Sequence, residues 1–195
     1  MGADAVDAGA SDRERKRGAF ALRHAVRQDF ARNHDALTRA VLLVFRYGQW
    51  ADGRRGIGRA VLALPHKIAN LFLLRLGVGC DLPPQLVCGP GLRLHHAGRG
   101  VAVHRRAVLG ANVTLFQDVA IGQRDNTGEP VLEDGVVVGV GARVLGPVRL
   151  GAGAKIGANA VVVDDVPAGG TALGPRAAVH PPRPRPEESV VTTAV

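Results

Sequence analysis

The chain has 195 residues and a formal net charge of +8, and 46% of its residues are hydrophobic although only 4% are aromatic. A chain of this length can bury the core of one folded domain. Most of the excess positive charge lies within residues 1–60, but neither stacking aromatic residues nor a recognition motif accompanies it, which argues against nucleic acid as a partner. A basic protein that attracts an anionic small molecule is the preferred interpretation.

The cysteines and the most apolar stretch argue against two further classes. Cys80 and Cys88 lack the spacing of a metal pair and no second pair completes a zinc site, so we predict no metal. Residues 61–78 are apolar but are interrupted by proline, histidine, lysine and arginine, so we predict no membrane span and no membrane partner. The first residues lack a signal-peptide pattern, so we expect a cytoplasmic protein.

The amino-terminal part of the chain divides into two segments. Residues 1–18 are acidic and then basic with no apolar period, and we expect them to be disordered. Residues 19–79 carry apolar side chains at helical spacing, which predicts a helical cap over the open end of the repeats that follow. The apolar positions of this pattern are Leu22, Val26, Phe30, Leu37, Val41, Leu42, Phe45, Ile57, Val61, Leu64, Ile68, Leu71 and Phe72.

Between residues 80 and 178, a small aliphatic side chain recurs at every sixth position. The positions of this series are Val103, Leu109, Leu115, Ile121, Leu132, Val138, Val144, Leu150, Ile156 and Val162. Neither an α-helix nor a half-buried strand has this period. The period predicts a parallel β-helix with three short strands in each coil. Residues 179–195 are rich in proline and are expected to form a flexible tail.

The repeat is interrupted once. Eleven residues separate Ile121 from Leu132, and the segment 123–130 is polar and rich in turn residues. A segment of this kind does not fit a flat β-helix face, so we expect it to loop outward. It is either a tolerated surface insertion or a loop that borders an active site.

The entry to the repeats, 91–100, reads Gly-x-x-Leu-x-His-Ala-x-x-Gly. This motif, followed by the runs 139–147, 151–160, 165–167 and 174–177, resembles the serine O-acetyltransferase branch of the hexapeptide-repeat acyltransferases. The resemblance covers about residues 80–178 closely and the helical cap only loosely. It implies a left-handed β-helix, acetyl-CoA as the donor, and a homotrimer with active sites between neighbouring subunits.

On this resemblance, His96 is the catalytic base and Asp81, fifteen residues upstream, is its partner carboxylate. The chemistry requires such a pair because a hydroxyl is a poor nucleophile at neutral pH. An imidazole can remove its proton as the oxygen attacks the thioester. A carboxylate then orients the ring and stabilises its charged form.

The resemblance also implies the donor and acceptor residues. The expected coenzyme contacts are Gly122, Gln123, Gly139, Val140, Gly157 and Ala158, with Lys155 and Arg176 as partners for the phosphates. His95 stands where these enzymes usually have an acceptor-binding aspartate, and we expect it to contact substrate or a subunit interface.

The loop departs from the family pattern. Where serine acetyltransferases carry an Arg-His pair before a proline, this chain has Gly128 and Glu129. A carboxylate at Glu129 repels the carboxylate of a free amino acid, although Arg124 could compensate. The acceptor is therefore serine or a close analogue, or alternatively a hydroxyl or amine of a sugar or secondary metabolite. A non-catalytic β-helix scaffold is the third reading.

The last residues carry a further implication of the resemblance. Serine acetyltransferases often dock a terminal isoleucine into the active site of a cysteine synthase, and this chain ends in 191–195 with Val195. The smaller side chain weakens such docking by about 1 kcal/mol. The segment is therefore either a solvated tail without a partner or a weak docking segment for a cysteine synthase.

Overall fold

The computed structural model describes residues 21–54, 57–125 and 127–178. The segments expected to be a disordered start, 1–18, and a flexible tail, 179–195, lie outside the described residues. Helix α1 includes residues 21–32, α2 is Ala36–Asp52, and α3 is Ile57–Ala69, which continues as a π-helix over Asn70–Val78. Helix α2 begins where the Asp35 side chain accepts a hydrogen bond from the Thr38 backbone amide, at 2.7 Å.

Short strands of two or three residues follow the helices. They are β1 Val87–Cys88, β2 Arg93–Leu94, β3 Ala102–Val103, β4 Val108–Leu109, β5 Thr114–Leu115, β6 Ala120–Gly122, β7 Val131–Leu132, β8 Val137–Val138, β9 Arg143–Leu145, β10 Arg149–Leu150, β11 Lys155–Ile156, β12 Val161–Val162 and β13 Thr171–Ala172. All of the pairings between these strands are parallel.

The strands form three faces of a solenoid. Face 1 has the order β1-β4-β7-β10, face 2 has β2-β5-β8-β11-β13, and face 3 has β3-β6-β9-β12. The chain visits the faces in turn, so three strands make one coil and about four coils are stacked. This is a parallel β-helix with helices at its amino-terminal end, which confirms the fold class predicted from the period of six.

The register of the strands explains the aliphatic series. Leu132 pairs with Leu150, eighteen residues later, and both side chains are fully buried inside the coils. Leu109, in contrast, pairs with Leu132, which lies twenty-three residues later. The five extra residues leave the coil in the segment 123–130, so the break in the repeat is an outward loop as predicted.

The glycines that follow the aliphatic residues are required by the stacking of the coils. A Cβ atom at Gly139 would lie 2.8 Å from the carbonyl oxygen of Ile156 on the next coil. At Gly151 it would lie 2.4 Å from the backbone nitrogen of Ala168. Only glycine allows the backbones to approach this closely.

One column of coil corners alternates between glycine and a short polar residue. Gly100, Asp118, Gly141 and Asn159 all have a left-handed backbone, with φ of +69°, +60°, +69° and +56°. A Cβ at Gly100 would lie 2.0 Å from Oδ1 of Asp118, and one at Gly141 would lie 2.1 Å from Oδ1 of Asn159. Each Asp or Asn side chain therefore fills the space above a glycine of the preceding coil.

A buried polar network joins the helical cap to the first coil. The Asp29 carboxylate of α1 accepts hydrogen bonds from the backbone amides of Gly91 and Leu92, at 2.8 and 2.9 Å. Arg46 of α2 pairs with Asp29 at 2.8 Å and donates to the Gly89 carbonyl at 2.6 Å, and both charged side chains are at most 3% exposed. The two side chains satisfy backbone groups that the first coil has no preceding strand to pair with.

The apolar residues at helical spacing in α3 and its π-helical continuation are not in the core. The sequence pattern that predicts this helix is correct, but Val61, Leu64, Ile68 and Phe72 are between 52% and 65% exposed. The stretch Val61–Val78 is the one described helix that is long and apolar enough to cross a membrane by length and composition, and only 17% of it is buried. A single helix of this kind is weak evidence for a span.

Candidate active site

The predicted catalytic histidine lies at the edge where face 2 turns into face 3, which we call the His95 edge. Its first positions, directly after the strands of face 2, are His95, Phe116, Gly139, Gly157 and Leu173. Its second positions are His96, Gln117, Val140, Ala158 and Gly174. The fold thus brings the proposed base and four of the proposed coenzyme contacts, Gly139, Val140, Gly157 and Ala158, to one edge of the β-helix.

The turn at His96 and Ala97 has a left-handed backbone. His96 and Ala97 have φ of +51° and +58°, and the His96 side chain is exposed. Non-glycine residues in this region are uncommon, and such strain concentrates at functional sites. The turn lifts the imidazole out of the regular coil and presents it to solvent.

His95 is held in place by an aromatic stack. Its ring lies on that of Phe116, one coil further along, with 3.9 Å between centroids and 6° between planes. Burial lowers the pKa of His95, and the positive charges of Arg93 and His96 lower it further. His95 is therefore neutral near pH 7, and it can offer a hydrogen bond to a substrate but no charge.

Asp81 lies beside the same edge but is paired elsewhere. Its backbone bridges Ala102, at the start of face 3, and its carboxylate accepts a hydrogen bond from Arg75 of the π-helix at 3.1 Å. Both side chains are at least half exposed. In the described residues, Asp81 and His96 share no hydrogen bond, so their pairing stays a prediction. Asp81 also borders a cavity of about 610 Å³ between the cap and the first coil.

The outward loop lies at a different edge, where face 3 turns into face 1, which we call the loop edge. Glu129 is half-buried there and accepts a hydrogen bond from Gln123 Nε2 at 2.6 Å. It forms an ion pair with Arg106 at 2.6 Å, and His104 Nδ1 lies 3.7 Å away. The carboxylate that departs from the family pattern is thus neutralised from within the chain.

The remaining predicted donor residues are spread over two edges. Gly122 and Gln123 lie at the loop edge, and Gly122 has open space around it, since a Cβ there would meet only Leu145 at 4.0 Å. Gly139 and Gly157 are at the His95 edge, where stacking alone explains their small size. Lys155 and Arg176 are exposed, as is Arg124 on the loop.

Three residues of these edges were missed by the sequence analysis. Arg106 pairs with Glu129 and Phe116 stacks on His95, and neither contact has a local sequence signal because the partners lie on different coils. Gln117 was also missed, and its Oε1 atom is buried without a hydrogen-bond partner in the described part of the chain. An unpaired buried acceptor is costly, so a water molecule or a group from outside the single chain is expected at this position.

The two cysteines do not add a reactive group to the site. Burial raises the pKa of the Cys80 thiol to about 12 and that of Cys88 to about 11, so both stay protonated at neutral pH. Within the residues that the structure describes, no group of three or more histidine, cysteine, aspartate or glutamate side chains has the arrangement of a metal site.

Comparison with known proteins adds to this geometry. A model of bacterial transferase hexapeptide repeats, six repeats long, matches residues 129–164. Serine acetyltransferase of Escherichia coli K12 is 34% identical over 138 residues, which are 68% of this chain and 47% of that protein. The structure of soybean serine acetyltransferase complexed with serine has a TM-score of 0.65 and 30% identity, and the match covers 80% of this chain and 68% of the soybean chain.

The chain belongs to the serine acetyltransferase family of hexapeptide-repeat proteins. As in that family, the β-helix is left-handed. A serine acetyltransferase complexed with CoA shares the fold, with a TM-score of 0.62, 24% identity, and coverage of 79% of this chain and 65% of its own. The chain spans about half the length of the curated relatives from E. coli that it matches.

Proposed function

We propose that the protein is an acyl-CoA-dependent O-acyltransferase that moves the acetyl group of acetyl-CoA to the hydroxyl of serine or a close analogue. The observation that carries the proposal is the His95 edge, where an exposed His96 in a strained turn is stacked in one column with Val140 and Ala158. Family membership supplies the reaction class, since the serine acetyltransferases it matches include one complexed with CoA and one with serine.

In the proposed reaction, His96 accepts the proton of the acceptor hydroxyl as its oxygen attacks the thioester carbonyl. The tetrahedral intermediate then expels the thiolate of coenzyme A, which takes the proton back from the imidazolium. Asp81 serves as the positioning residue for His96 once it is released from Arg75. That release costs little, because exposed ion pairs contribute at most about 1 kcal/mol.

The proposal requires neighbouring subunits. The His95 edge and the loop edge lie at opposite ends of face 3. Gly122 and Gln123 are therefore separated from His96 of the same subunit by the length of a face 3 strand. The two groups meet only if the loop edge of one subunit lies against the His95 edge of another. We therefore infer a homotrimer, whose groove between subunits holds acetyl-CoA and whose contacts satisfy the buried Gln117 oxygen.

A second acceptor class is favoured by the loop. Glu129 is held by Arg106 and Gln123 in a half-buried position, and Arg124 on the same loop is exposed. Because Glu129 already occupies the Arg106 cation, this loop suits a hydroxyl or amine of a sugar or secondary metabolite better than it suits a free carboxylate. His96 would perform the same step on either acceptor.

The proposal extends to the surroundings of the enzyme. The two described cysteines are free thiols, which fits a reducing cytoplasm.

The cysteine synthase partner suggested by the last residues rests on a segment outside the described residues. Calorimetry of a peptide of residues 186–195 with a cysteine synthase distinguishes a docking segment, which gives heat and competes with substrate, from a solvated tail, which gives neither.

The deciding experiment is a thiol-release assay with acetyl-CoA and a panel of acceptors: serine, homoserine, amino sugars and neutral sugars. We expect release that depends on acceptor and is fastest with serine or homoserine. Faster release with an amino sugar would assign the second acceptor class. No release with any acceptor, from protein that still binds CoA, would leave the scaffold reading.

A further inference from the structure

We propose that Arg93 binds a carboxylate of the acceptor, which makes the acceptor a hydroxylated amino acid or a similar hydroxy acid and not a neutral sugar. This inference rests on the proposed function, because it assigns a residue of the same site. Arg93 lies two residues before His95, on strand β2, and its side chain is exposed. Successive side chains of a strand point to opposite sides, and Leu94 is buried, so Arg93 and His95 share the outer side.

A second arginine is fixed beside Arg93. Arg32, at the end of α1, donates a hydrogen bond to the Gly91 carbonyl and another, at 3.1 Å, to Oγ1 of Thr114. Thr114 is the register partner of Arg93 on the next strand of face 2, and it is buried. The Arg32 guanidinium therefore lies against face 2 next to the point from which the Arg93 side chain leaves it.

The positive charge of Arg93 is not neutralised from within the described chain. Among the residues that the structure describes, its side chain has no hydrogen-bond or ion-pair partner. The carboxylate of Asp29 is paired with Arg46 and accepts two backbone amides of the first coil. Burial lowers the pKa of Arg32 and the charge of Arg93 lowers it further, whereas Asp29 raises it. An anion bound at Arg93 offsets the repulsion between the two arginines.

Position along the β-helix assigns this anion to the acceptor and not to the donor. Lys155, a proposed phosphate partner, lies three strands further along face 2, at a distance of about 14 Å. Arg93 is three residues from His96, which is at most about 11 Å of extended chain. Because the pantetheine arm separates the phosphates of acetyl-CoA from its thioester, an anion this close to His96 belongs to the molecule that carries the reacting hydroxyl.

The residues at this position suit a carboxylate held beside a hydroxyl. A free guanidinium pairs with a carboxylate through two parallel hydrogen bonds. The ring of His95 adds a neutral hydrogen-bonding group, and the exposed imidazole of His96 is left for the hydroxyl. The loop edge does not have to supply this cation, since Arg106 is held by Glu129. A neutral sugar would leave the charge of Arg93 without a counter-charge.

The test compares serine with serinamide, in which a neutral amide of the same size replaces the carboxylate. For the unchanged protein, we expect KM to be about tenfold lower for serine, the scale of one charge-assisted contact. Arg93→Gln is expected to raise KM for serine about tenfold and to leave kcat, KM for serinamide and KM for acetyl-CoA unchanged. Arg93→Lys keeps the charge without the two-pronged geometry, and its KM for serine is expected to fall between the two.

A matched control and a second readout make the test specific. Arg27→Gln removes an exposed arginine of α1 by the same substitution, and it is expected to leave every kinetic constant unchanged. Calorimetric titration of serine into the protein loaded with CoA does not depend on turnover. In that titration, Arg93→Gln is expected to weaken serine binding about tenfold.

Four outcomes overturn the inference. The first is an equal KM for serine and serinamide in the unchanged protein, and the second is serine binding that Arg93→Gln leaves unchanged. The third is a rise in KM for acetyl-CoA alone, which would assign Arg93 to the donor. The fourth is a trimer that dissociates in Arg93→Gln but not in Arg27→Gln, which would assign Arg93 to a contact between subunits. Failure of the proposed function is a different result, namely no thiol release with any acceptor, and the calorimetric titration tests Arg93 even then.

Discussion

His96 is the residue on which the proposed reaction depends, and its backbone dictates how it is tested. An alanine at φ +51° is strained, whereas asparagine tolerates this region, so His96→Asn is the better substitution. We expect it to lower kcat by about 10² to 10⁴, the usual contribution of a general base, and to leave the melting temperature unchanged. Steady-state kinetics with the best acceptor measures this, and near-normal turnover would remove His96 from the mechanism.

Asp81 needs a design that separates catalysis from its contact with Arg75. Asp81→Asn is expected to lower kcat by up to about 10⁴, because the imidazole loses its orienting carboxylate. Arg75→Gln breaks the same ion pair while it keeps the carboxylate, and it is expected to leave kcat unchanged. If both variants lose activity equally, Asp81 acts through Arg75 and the cap instead of through His96.

Glu129 is the residue that tests the acceptor. Glu129→Gln removes the carboxylate next to Arg106 while it keeps the size of the side chain and the contact with Gln123. For serine we expect KM to fall roughly threefold, the scale of a partly exposed charge interaction, with kcat unchanged. A rise in KM for serine would show that Glu129 binds the acceptor, through its amino group or hydroxyl, and does not repel it.

The position of some site residues can be predicted from the sequence, and that of others cannot. The position of His96 beside Val140 and Ala158 follows from the period of six together with the family motif, because residues after equivalent strands must stack. The ion pair between Arg106 and Glu129 cannot be predicted in this way, because the five extra residues of the outward loop break the regular spacing between the two positions. The left-handed backbone of His96 cannot be predicted from the sequence, because the residue at this position is a histidine and not a glycine.

Among the structural elements, the helical cap depends on one buried charge pair. Arg46→Met leaves Asp29 charged and buried, and it also leaves the Gly89 carbonyl unpaired, so we expect unfolding free energy to fall by about 3–5 kcal/mol. The control is Arg149→Met, which removes an exposed pair with Glu133 and is expected to cost less than about 1 kcal/mol. Denaturant unfolding of both variants measures the difference, and equal losses would contradict the role assigned to the cap network.

Sequence patterns predict these elements unevenly. Val41, Leu42 and Phe45 follow the predicted helical spacing and are fully buried, because this part of their helix packs on the rest of the protein, whereas Leu37 of the same series is 48% exposed. Val61 and Leu64 follow the same spacing, which predicts their helix correctly, but their side chains are exposed. Helical spacing identifies which side chains share a side, but not what covers that side. The burial of Asp29 cannot be predicted from the sequence, because nothing in the sequence distinguishes a buried aspartate from one on the surface.

If two subunits share each active site, two inactive variants of the protein should restore activity when they are mixed. His96→Asn disables the His95 edge, and Gly122→Trp fills the open space at the loop edge. Each variant alone is expected to be inactive. Refolded together in equal amounts, they are expected to regain activity in roughly a quarter of the sites, because some sites then combine two intact edges.

Sedimentation and the thiol-release assay check this complementation. Both variants and their mixture are expected to sediment as the trimer of the unchanged protein. Activity of a monomer, or a mixture as inactive as its components, would contradict a site made by two subunits. A mixture of His96→Asn with Asp81→Asn is the control, since both changes lie at one edge and no recovery is expected.

The column of corners that alternates Gly100, Asp118, Gly141 and Asn159 has a period of two coils, whereas the aliphatic column repeats with every coil. A duplicated single coil would therefore place two glycines or two Asx side chains one above the other. In the second arrangement, the Cβ of one residue would lie about 2.0 Å from the side-chain oxygen of the next, which would have to turn aside. Lengthening of this solenoid during evolution, or by design, is expected to proceed in units of two coils. Where a single coil has been gained, we expect compensating substitutions in the corner column, so that each Asp or Asn again lies next to a glycine.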